Sequence, residues 1–587
     1  MGKVGGGIKK NKIKRRMAAM AKRQLIECVP NFSEGRDMGI INQITDAIRA
    51  VSGVRVVDVD PGKATNRTVV TMVGEPEAVC EAAFQGVKKA QELIDMRKHH
   101  GAHPRFGATD VCPLVPVSNI TMDEVVVLAR KLAERIGTEL GISVYCYEKA
   151  AFKPERRNLA ACRAGEYEGL AQRVVTEEWK PDFGPALFNA KSGATAVGAR
   201  NFLVAYNVNL NTTSTRRANA VAFDIREKGR PQREGDPVVG KKKVGPDGKV
   251  LWTPGSLKAC KAIGWYIEEF GIAQVSINLT DISVTPLHVA FEETCKKAEA
   301  RGLRVTGSEL VGVVPLQAML DAGRYFLHKQ QRSTGISDEE IIKIAVKSMG
   351  LDELYPFDPK KKIIEYILED ENAHPLTNMT LRGFVEEAAS ESPAPGGGSV
   401  SAAIGALGVA LGSMVANLSA HKPGWDSRWR EFSDWADKGK HYLDQLLHLI
   451  DEDTAAFNGI MDALGMPKGN DEEKAARHAA LQEATRRATE VPAQIMRTCY
   501  ASMEVMEAMA KLGNPASVSD AGVGALAARA GVIGAFLNVK INVPSLEDKA
   551  YVKALLDEGT ELVEKANRLE EEILAQTNAV MDAKGKK

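Results

Sequence analysis

At 587 residues the chain exceeds a single core of ordinary size, so three or four units of roughly 100–200 residues are expected. Hydrophobic and charged fractions of 44% and 26% are those of a soluble globular protein and exclude a disordered or fibrous one. The net charge of +1 hides nine Lys or Arg and no acid in the first 23 residues; with those set aside, 68 basic residues face 76 acidic ones, a net of −8, and such a body lacks the basic face a nucleic-acid partner needs.

Residues 1–23 read as a basic disordered extension without the apolar stretch of a secretory signal. A transit peptide is the alternative, and Met17 or Met20 is an alternative start. From Leu25 to Arg200, β-branched runs ("LIECV", "VRVVDVD", "RTVVTMVG", "ISVYCY") alternate with helical periods ("GIINQITDAIRAV", "PEAVCEAAFQGVKKAQELI", "DEVVVLARKLAERIG"). A second series of similar plan begins near Asn201. Two ferredoxin-like α/β sandwich subdomains, 24–201 and 202–368, are the reading. Between Gly229 and Ser256 a Gly-, Pro- and charge-rich stretch reads as a surface loop, and 369–378 as a linker. Strand signals then nearly vanish, so 379–587 reads as an all-α helical bundle. The fold class is therefore multidomain, α+β followed by all-α. Eight scattered cysteines without a C-x-x-C pair indicate a reducing, cytoplasmic setting and give no structural zinc site.

"RKHHGAHPRFGATDV" gathers three of the ten histidines. His99 and His103 have i, i+4 spacing, but Pro104 disfavours helix and no nearby carboxylate completes a metal motif, so no metal is expected. His99 and His100 read as surface imidazoles, whereas His103, fixed between Gly101-Ala102 and Pro104, suits proton transfer near neutral pH. "VVDVDPGKATNRTVV" sets Asp58, Asp60, Asn66 and Arg67 at a strand mouth. "DFGPALFNAKSGATAVGAR" is either a connector or a binding loop.

Taken in order, "LIECVPNFSEGRD", "DVDPGKATNRTV", "HPRFGATDVCPLVPV", "AGEYEGL", "PDFGPALFNAKSGATAVGARNFLVAYNVNL" and "ELVGVVPLQAMLDAG" resemble the glutamate formiminotransferase family over Leu25–Leu368. The resemblance implies transfer of a formimino group from N-formimino-L-glutamate to tetrahydrofolate, a step of histidine degradation. It makes His103 the catalytic histidine and Gly184–Gly193 (Gly184, Pro185, Ala186, Leu187, Phe188, Asn189, Ala190, Lys191, Ser192, Gly193) the folate-binding loop. Asp60, by its place in the D-V-D motif, is the candidate polar partner of the reacting nitrogens. The loop around Gly229–Gly255 is longer than in animal members.

In the last third, "PAPGGGSVSAAIGALGVALGSMVANLSA" has the length of a membrane span but is dominated by Gly, Ala and Ser, and lacks the lysine of a phosphate loop. It reads as a glycine turn into a buried small-residue helix whose start at Gly398-Ser399 offers free N–H groups; no membrane span is expected. In "HYLDQLLHLIDEDTAAFNGIMDAL", Asp453 falls on the apolar stripe between Ile450 and Phe457. There it is either a core-facing acid with a raised pKa or a partly solvated rim residue.

"SPAPGGGSVSA", "LGSMVANLS", "LIDEDTAAF", "MPKGNDEEK", "LGNPASVSDAGVGA" and "GAFLNVKINV" resemble formiminotetrahydrofolate cyclodeaminase, and the whole chain resembles the bifunctional formiminotransferase-cyclodeaminase family. The resemblance implies cyclisation of 5-formiminotetrahydrofolate to 5,10-methenyltetrahydrofolate with release of ammonia, and maps the catalytic aspartate onto Asp453. It also implies a polyglutamylated folate co-substrate, able to stay tethered between sites, and a ring-like homo-oligomer of dimers. The alternatives for the helical part are a methenyltetrahydrofolate cyclohydrolase and an oligomerisation module.

Overall fold

The computed structural model describes residues 24–63, 65–101, 105–236, 239–368 and 375–585. The basic extension, most of the linker and His103 lie outside the described residues. The chain divides into two compact units, Met1–Met319 with Met349–Glu369, and Leu320–Ser348 with Asp370–Lys587.

The first unit carries two sheets. In the larger, β1 (Leu25–Cys28) and β2 (Asn31–Phe32) form one strand position, interrupted at Pro30, which has no N–H to give to a ladder. Both segments pair antiparallel with β4 (Arg67–Gly74) on one side and β5 (Thr109–Ser118) on the other. Strand β3 (Val54–Gly62) pairs with β4 at one end of the sheet. β7 (Ala194–Ala199) runs parallel to β5, and β6 (Ser143–Glu148) parallel to β7. Helices α1 (Met38–Arg49), α2 (Pro76–Leu93) and α3 (Met122–Glu139) build a continuous core with the strands, in which Ile44, Val79 and Ile136 join Phe32, Met72, Cys112 and Val144. Their starts follow the chain's own signals. Asp37 caps α1 through the N–H groups of Gly39 and Ile40, and Thr121 with Glu124 forms a reciprocal capping box on α3.

The second sheet joins β8 (Val204–Leu210), β11 (Cys260–Ile267), β12 (Ile272–Leu279) and β13 (Val305–Val311) in the order β11-β12-β8-β13, all antiparallel. Helix α4 (Thr215–Ile225) follows β8 and α5 (Leu287–Glu299) follows β12. Between α4 and β11 the stretch read as a loop contains a two-residue ladder, β9 (Arg230–Pro231) with β10 (Trp252–Thr253).

The second unit is helical. Helices α6 (Leu316–Lys329) and α7 (Asp338–Met349) contribute Leu320–Ser348 to it, and the turn between them is anchored there: Thr334 Oγ1 donates to Asp437 Oδ2 (2.5 Å) and Asn417 Nδ2 to Gly335 O (2.8 Å). The remaining long helices are α8 (Gly397–Ala420), α9 (Trp429–Leu464), α10 (Asp471–Leu512), α11 (Val518–Asn542) and α12 (Lys549–Gly585). Helix α8 packs against α9, α10 and α11. Small residues set the spacing: a Cβ on Gly408 would stand 2.7 Å from Gly524 O, and one on Gly524 2.7 Å from Gly408 O. Gly397–Ala420 and Pro515–Ser545 are long and apolar enough to cross a membrane by length and composition. In the first, 61% of the apolar window is buried inside the protein, so its missing charges are accounted for by neighbouring helices.

Glu27 in the middle of β1 is 4% exposed, and burial pushes its carboxyl up to about 7, against the pull of Arg200. Between about pH 4.5 and 7 the folded chain therefore holds a proton that the unfolded chain has lost, and stability falls as pH rises through that window. Glu27→Gln should remove this slope and stabilise the first unit at pH 8 by about 3 kcal/mol, read from urea unfolding at pH 5 and pH 8. An identical pH slope in wild type and variant would contradict it.

Candidate functional site

One candidate site lies at the end of the larger sheet where β2 stops and β4, β5 and β7 begin. Asp110, second residue of β5, is 1% exposed. Arg163 grips it in a fork, Nε to Oδ1 at 2.9 Å and an Nη to Oδ2 at 2.5 Å, while Arg67 stands 3.5 Å from Oδ2 and also donates to Asn31 Oδ1. Burial lowers the pKa of Arg67, with Asp110 acting in the opposite direction. Asn66, at the β3–β4 turn with φ +51°, ties three segments together: its Oδ1 accepts from Gly35 N (3.0 Å), its Nδ2 donates to His100 O (3.0 Å), and its carbonyl lies 2.7 Å from His99 Nε2. His99 is thus buried, a correction to its reading as a surface imidazole; the peptide oxygen of Asn66 supplies the partner that a buried ring needs. Burial also holds its pKa below the ordinary histidine value. His100 is exposed.

The loop from Gly184 to Gly193 is held at both ends and open in the middle. A Cβ at Gly184 (φ +80°) would collide with Ile142 O, and one at Gly193 (φ +64°) with Phe106 O, so both positions require glycine. Asn189 Oδ1 accepts from the N–H groups of Lys191 and Ser192, each at 3.1 Å, and Lys191 Nζ reaches Glu92 O at 2.9 Å. Pro185, Ala186 and Leu187 are exposed, Leu187 by 68%. Phe188 packs on Tyr167 (5.4 Å between ring centres), whose hydroxyl donates to Ala190 O at 2.5 Å. Arg105 lies 4.8 Å from the Tyr167 ring, so the residues that follow His103 reach the loop through one tyrosine. Nearby, the buried hydroxyls of Thr109, Ser192 and Thr195 and the Nδ1 of His99 have no partner among the described residues. Asp60 is exposed on β3, and no hydrogen bond among the described residues joins it to the loop. Its charge, after burial, helps raise the pKa of neighbouring Asp58.

The other candidate site is in the helical unit. Asp453 on α9 places its carboxylate against the first turn of α8: Oδ2 accepts from Ser399 N at 2.8 Å and lies 3.1 Å from Ser399 Oγ. Gly398 has no room for a Cβ, which would strike Asp453 Oδ1. One at Gly397 would come within 2.9 Å of Asn538 Nδ2 on α11. Burial raises the Asp453 pKa, and the two Ser399 hydrogen bonds oppose the shift. On the same helix Asp451 accepts from Leu376 N (2.9 Å) and Thr377 Oγ1 (2.8 Å), and Glu452 pairs with Arg487 at 2.5 Å. The arrangement is a half-buried acid at a positive helix end, suited to giving up a proton and then holding the charge that remains.

Family models match the chain in three stretches: a formiminotransferase domain, N-terminal subdomain, over 25–200; a formiminotransferase domain over 205–369; and formiminotransferase-cyclodeaminase over 380–561. The formimidoyltransferase-cyclodeaminase of Rattus norvegicus is 42% identical over 529 residues, covering 90% of this chain and 94% of that one. The chain belongs to the formiminotransferase-cyclodeaminase family. Shorter relatives match each part of it. The glutamate formimidoyltransferase of Streptococcus pyogenes is 42% identical over 304 residues, 52% of this chain and 93% of that one. A methenyltetrahydrofolate cyclohydrolase of Methylorubrum extorquens is 40% identical over 196 residues, 33% of this chain and 94% of that one.

Sequence reasoning missed Asp110 and Arg163. The motif containing Asp110 was visible in "FGATDV", but only the fold shows that its carboxylate is buried and needs two guanidinium partners. Ser399 was visible as the start of a helix, not as a partner of Asp453 54 residues away.

Proposed function

We propose that this chain is a bifunctional folate enzyme: it transfers the formimino group from N-formimino-L-glutamate to tetrahydrofolate, then cyclises 5-formiminotetrahydrofolate to 5,10-methenyltetrahydrofolate with loss of ammonia. The observation that carries the reading is identity spread over 90% of the chain with a relative named for both activities. Each half also matches a family model for its part.

In the first step N5 of the folate adds to the amidine carbon and the glutamate nitrogen departs. The attacking amine loses a proton and the leaving nitrogen gains one, a shuttle assigned to His103. The exposed Pro185–Leu187 rim of the loop, and the unpartnered hydroxyls of Ser192 and Thr195 beside it, support assigning folate to Gly184–Gly193. Asp60 is kept as a polar partner only through its place in the motif. In the second step the proton needed by the departing nitrogen is assigned to Asp453, supported by its raised pKa and its seat at the start of α8. The subdomains are assigned to ferredoxin-like folds. The succession β1/β2-α1-β3-β4-α2-β5 and the order of the four-stranded sheet support this. Cytoplasmic residence is supported by eight cysteines that all remain thiols.

The cyclohydrolase relative gives the helical part a second reading, and one experiment separates the two. The full chain is supplied with N-formimino-L-glutamate and tetrahydrofolate, and glutamate, ammonia and 5,10-methenyltetrahydrofolate are followed together. All three should appear. His103→Ala should abolish glutamate formation while retaining folate binding, and Asp453→Asn should accumulate 5-formiminotetrahydrofolate. Hydrolysis of supplied 5,10-methenyltetrahydrofolate without ammonia release from the formimino compound would transfer the helical unit to the cyclohydrolase reading.

A homo-oligomer is part of the same proposal. Val523, Leu526, Leu537 and Ile541 are exposed along one stripe of α11, and Leu407, Met414 and Leu418 along α8, which packs against it. Sedimentation of the full chain should give a multimer that Leu537→Glu with Ile541→Glu dissociates; an unchanged species would remove this face from the assembly.

A further inference from the structure

Asp453 has one oxygen committed and one open. Oδ2 takes the Ser399 N–H, whereas Oδ1 lies against Gly398 with no hydrogen bond among the described residues. The Ser399 hydroxyl has one proton and three oxygens within reach: Ile450 O at 2.8 Å, Asp453 Oδ2 at 3.1 Å and Thr454 Oγ1 at 3.2 Å. Ser399 is fully buried. The Ile450 carbonyl can only accept, and it is the nearest of the three. A hydrogen bond to an ionised carboxylate is roughly twice as strong as a neutral one, so the preferred partner depends on the charge of Asp453.

We propose that Ser399 is a positioning residue that directs the Asp453 proton onto Oδ1, and that swings its own hydroxyl from Ile450 O to Oδ2 once that proton has left. The proposal rests on Asp453 as the proton donor of the cyclisation. In that step N10 adds to the formimino carbon and its proton ends on the imino nitrogen. The bond from carbon to that nitrogen then breaks, the electron pair leaving with nitrogen. The Oδ1 proton completes ammonia, the folate is left as the methenyl cation, and Asp453 as a carboxylate. While Asp453 is neutral, the backbone N–H of Ser399 occupies Oδ2 and leaves Oδ1 as the site for the proton. After transfer, the new charge is met by the N–H and the hydroxyl together, at the positive end of α8.

Among the described residues no charged group bonds to Asp453 in place of the serine. Helix α8 has no titratable side chain from Gly397 to Ala420. On α9, Asp451 accepts from Leu376 and Thr377, and Glu452 pairs with Arg487 of α10. On α11, Arg529 pairs with Glu570, Lys540 lies over Phe536, and Asp520 sits in the first turn.

The test is the pH profile of ammonia release from 5-formiminotetrahydrofolate by the full chain, for wild type, Ser399→Ala, Ser399→Thr and Asp453→Asn. Ser399→Ala should lower kcat about tenfold with KM unchanged. It should also move the alkaline limb up by about one pH unit, because a carboxyl that has lost a hydrogen bond favouring ionisation keeps its proton to higher pH. Ser399→Thr, which retains the hydroxyl, should return the limb toward wild type. If Ser399→Ala melts below the assay temperature, Ser399→Cys, with a weak thiol donor, should show the same upward limb. An unmoved limb in the folded variant, with Asp453→Asn inactive, overturns the role of Ser399 and leaves the enzymatic reading intact. Ammonia release by Asp453→Asn overturns the assignment of Asp453 instead.

Discussion

The helical unit depends on one contact, a carboxylate from α9 seated on the first turn of α8. A helix start has N–H groups without partners, and the sequence brings Asp453 to one of them from across the bundle. The contact dictates what surrounds it. Gly398 must lack a side chain for the carboxylate to approach, and Gly408 must lack one for α11 to lie close enough to bring Asn538 to the same turn. The stretch of α8 free of charge, which by length alone resembles a membrane segment, is explained by this packing. Burial that raises the Asp453 pKa and hydrogen bonds that restrain the rise come from the same geometry, so the acid is poised rather than simply neutralised.

The α/β unit solves a different problem. Its candidate site is assembled from strand starts and the loops leading into them, where backbone from four segments converges. Asp110 sits between two guanidinium groups at the sheet end, and Asn66 stitches the β3–β4 turn to the segments carrying Gly35 and His100. The loop from Gly184 to Gly193 is fixed by glycines at both ends and by Tyr167 beneath it, while its apolar middle remains exposed.

Much of this was legible in the sequence. The β-branched runs at 25–28, 54–60, 67–74 and 143–148 became strands, and the long helical periods after residue 379 became helices. The strands that escaped have physical reasons. β5 contains Pro113 and Pro116 and β7 is rich in Ala and Gly, so neither shows the alternation that marks a half-buried strand. The buried state of His99 was invisible because its partner is a peptide oxygen, a group every residue possesses. The grouping of Leu320–Ser348 with the helical unit was invisible because side-chain bonds such as Thr334 to Asp437 span 103 residues. Helical periodicity placed Asp453 on the apolar stripe and left open whether it faces the core or a solvated rim, and the residue is half-buried; its partner Ser399 was not legible, because no local pattern joins the two.

The central claim is that Asp453 keeps its proton at pH values where an ordinary aspartate has lost it. It is tested most directly by 13C NMR of the full chain labelled at aspartate carboxyls, with Asp453→Asn used to identify the resonance. The account predicts a single carboxyl, missing from the variant, that titrates above the ordinary aspartate range. A resonance assigned to Asp453 that titrates at about 4 or below would contradict it.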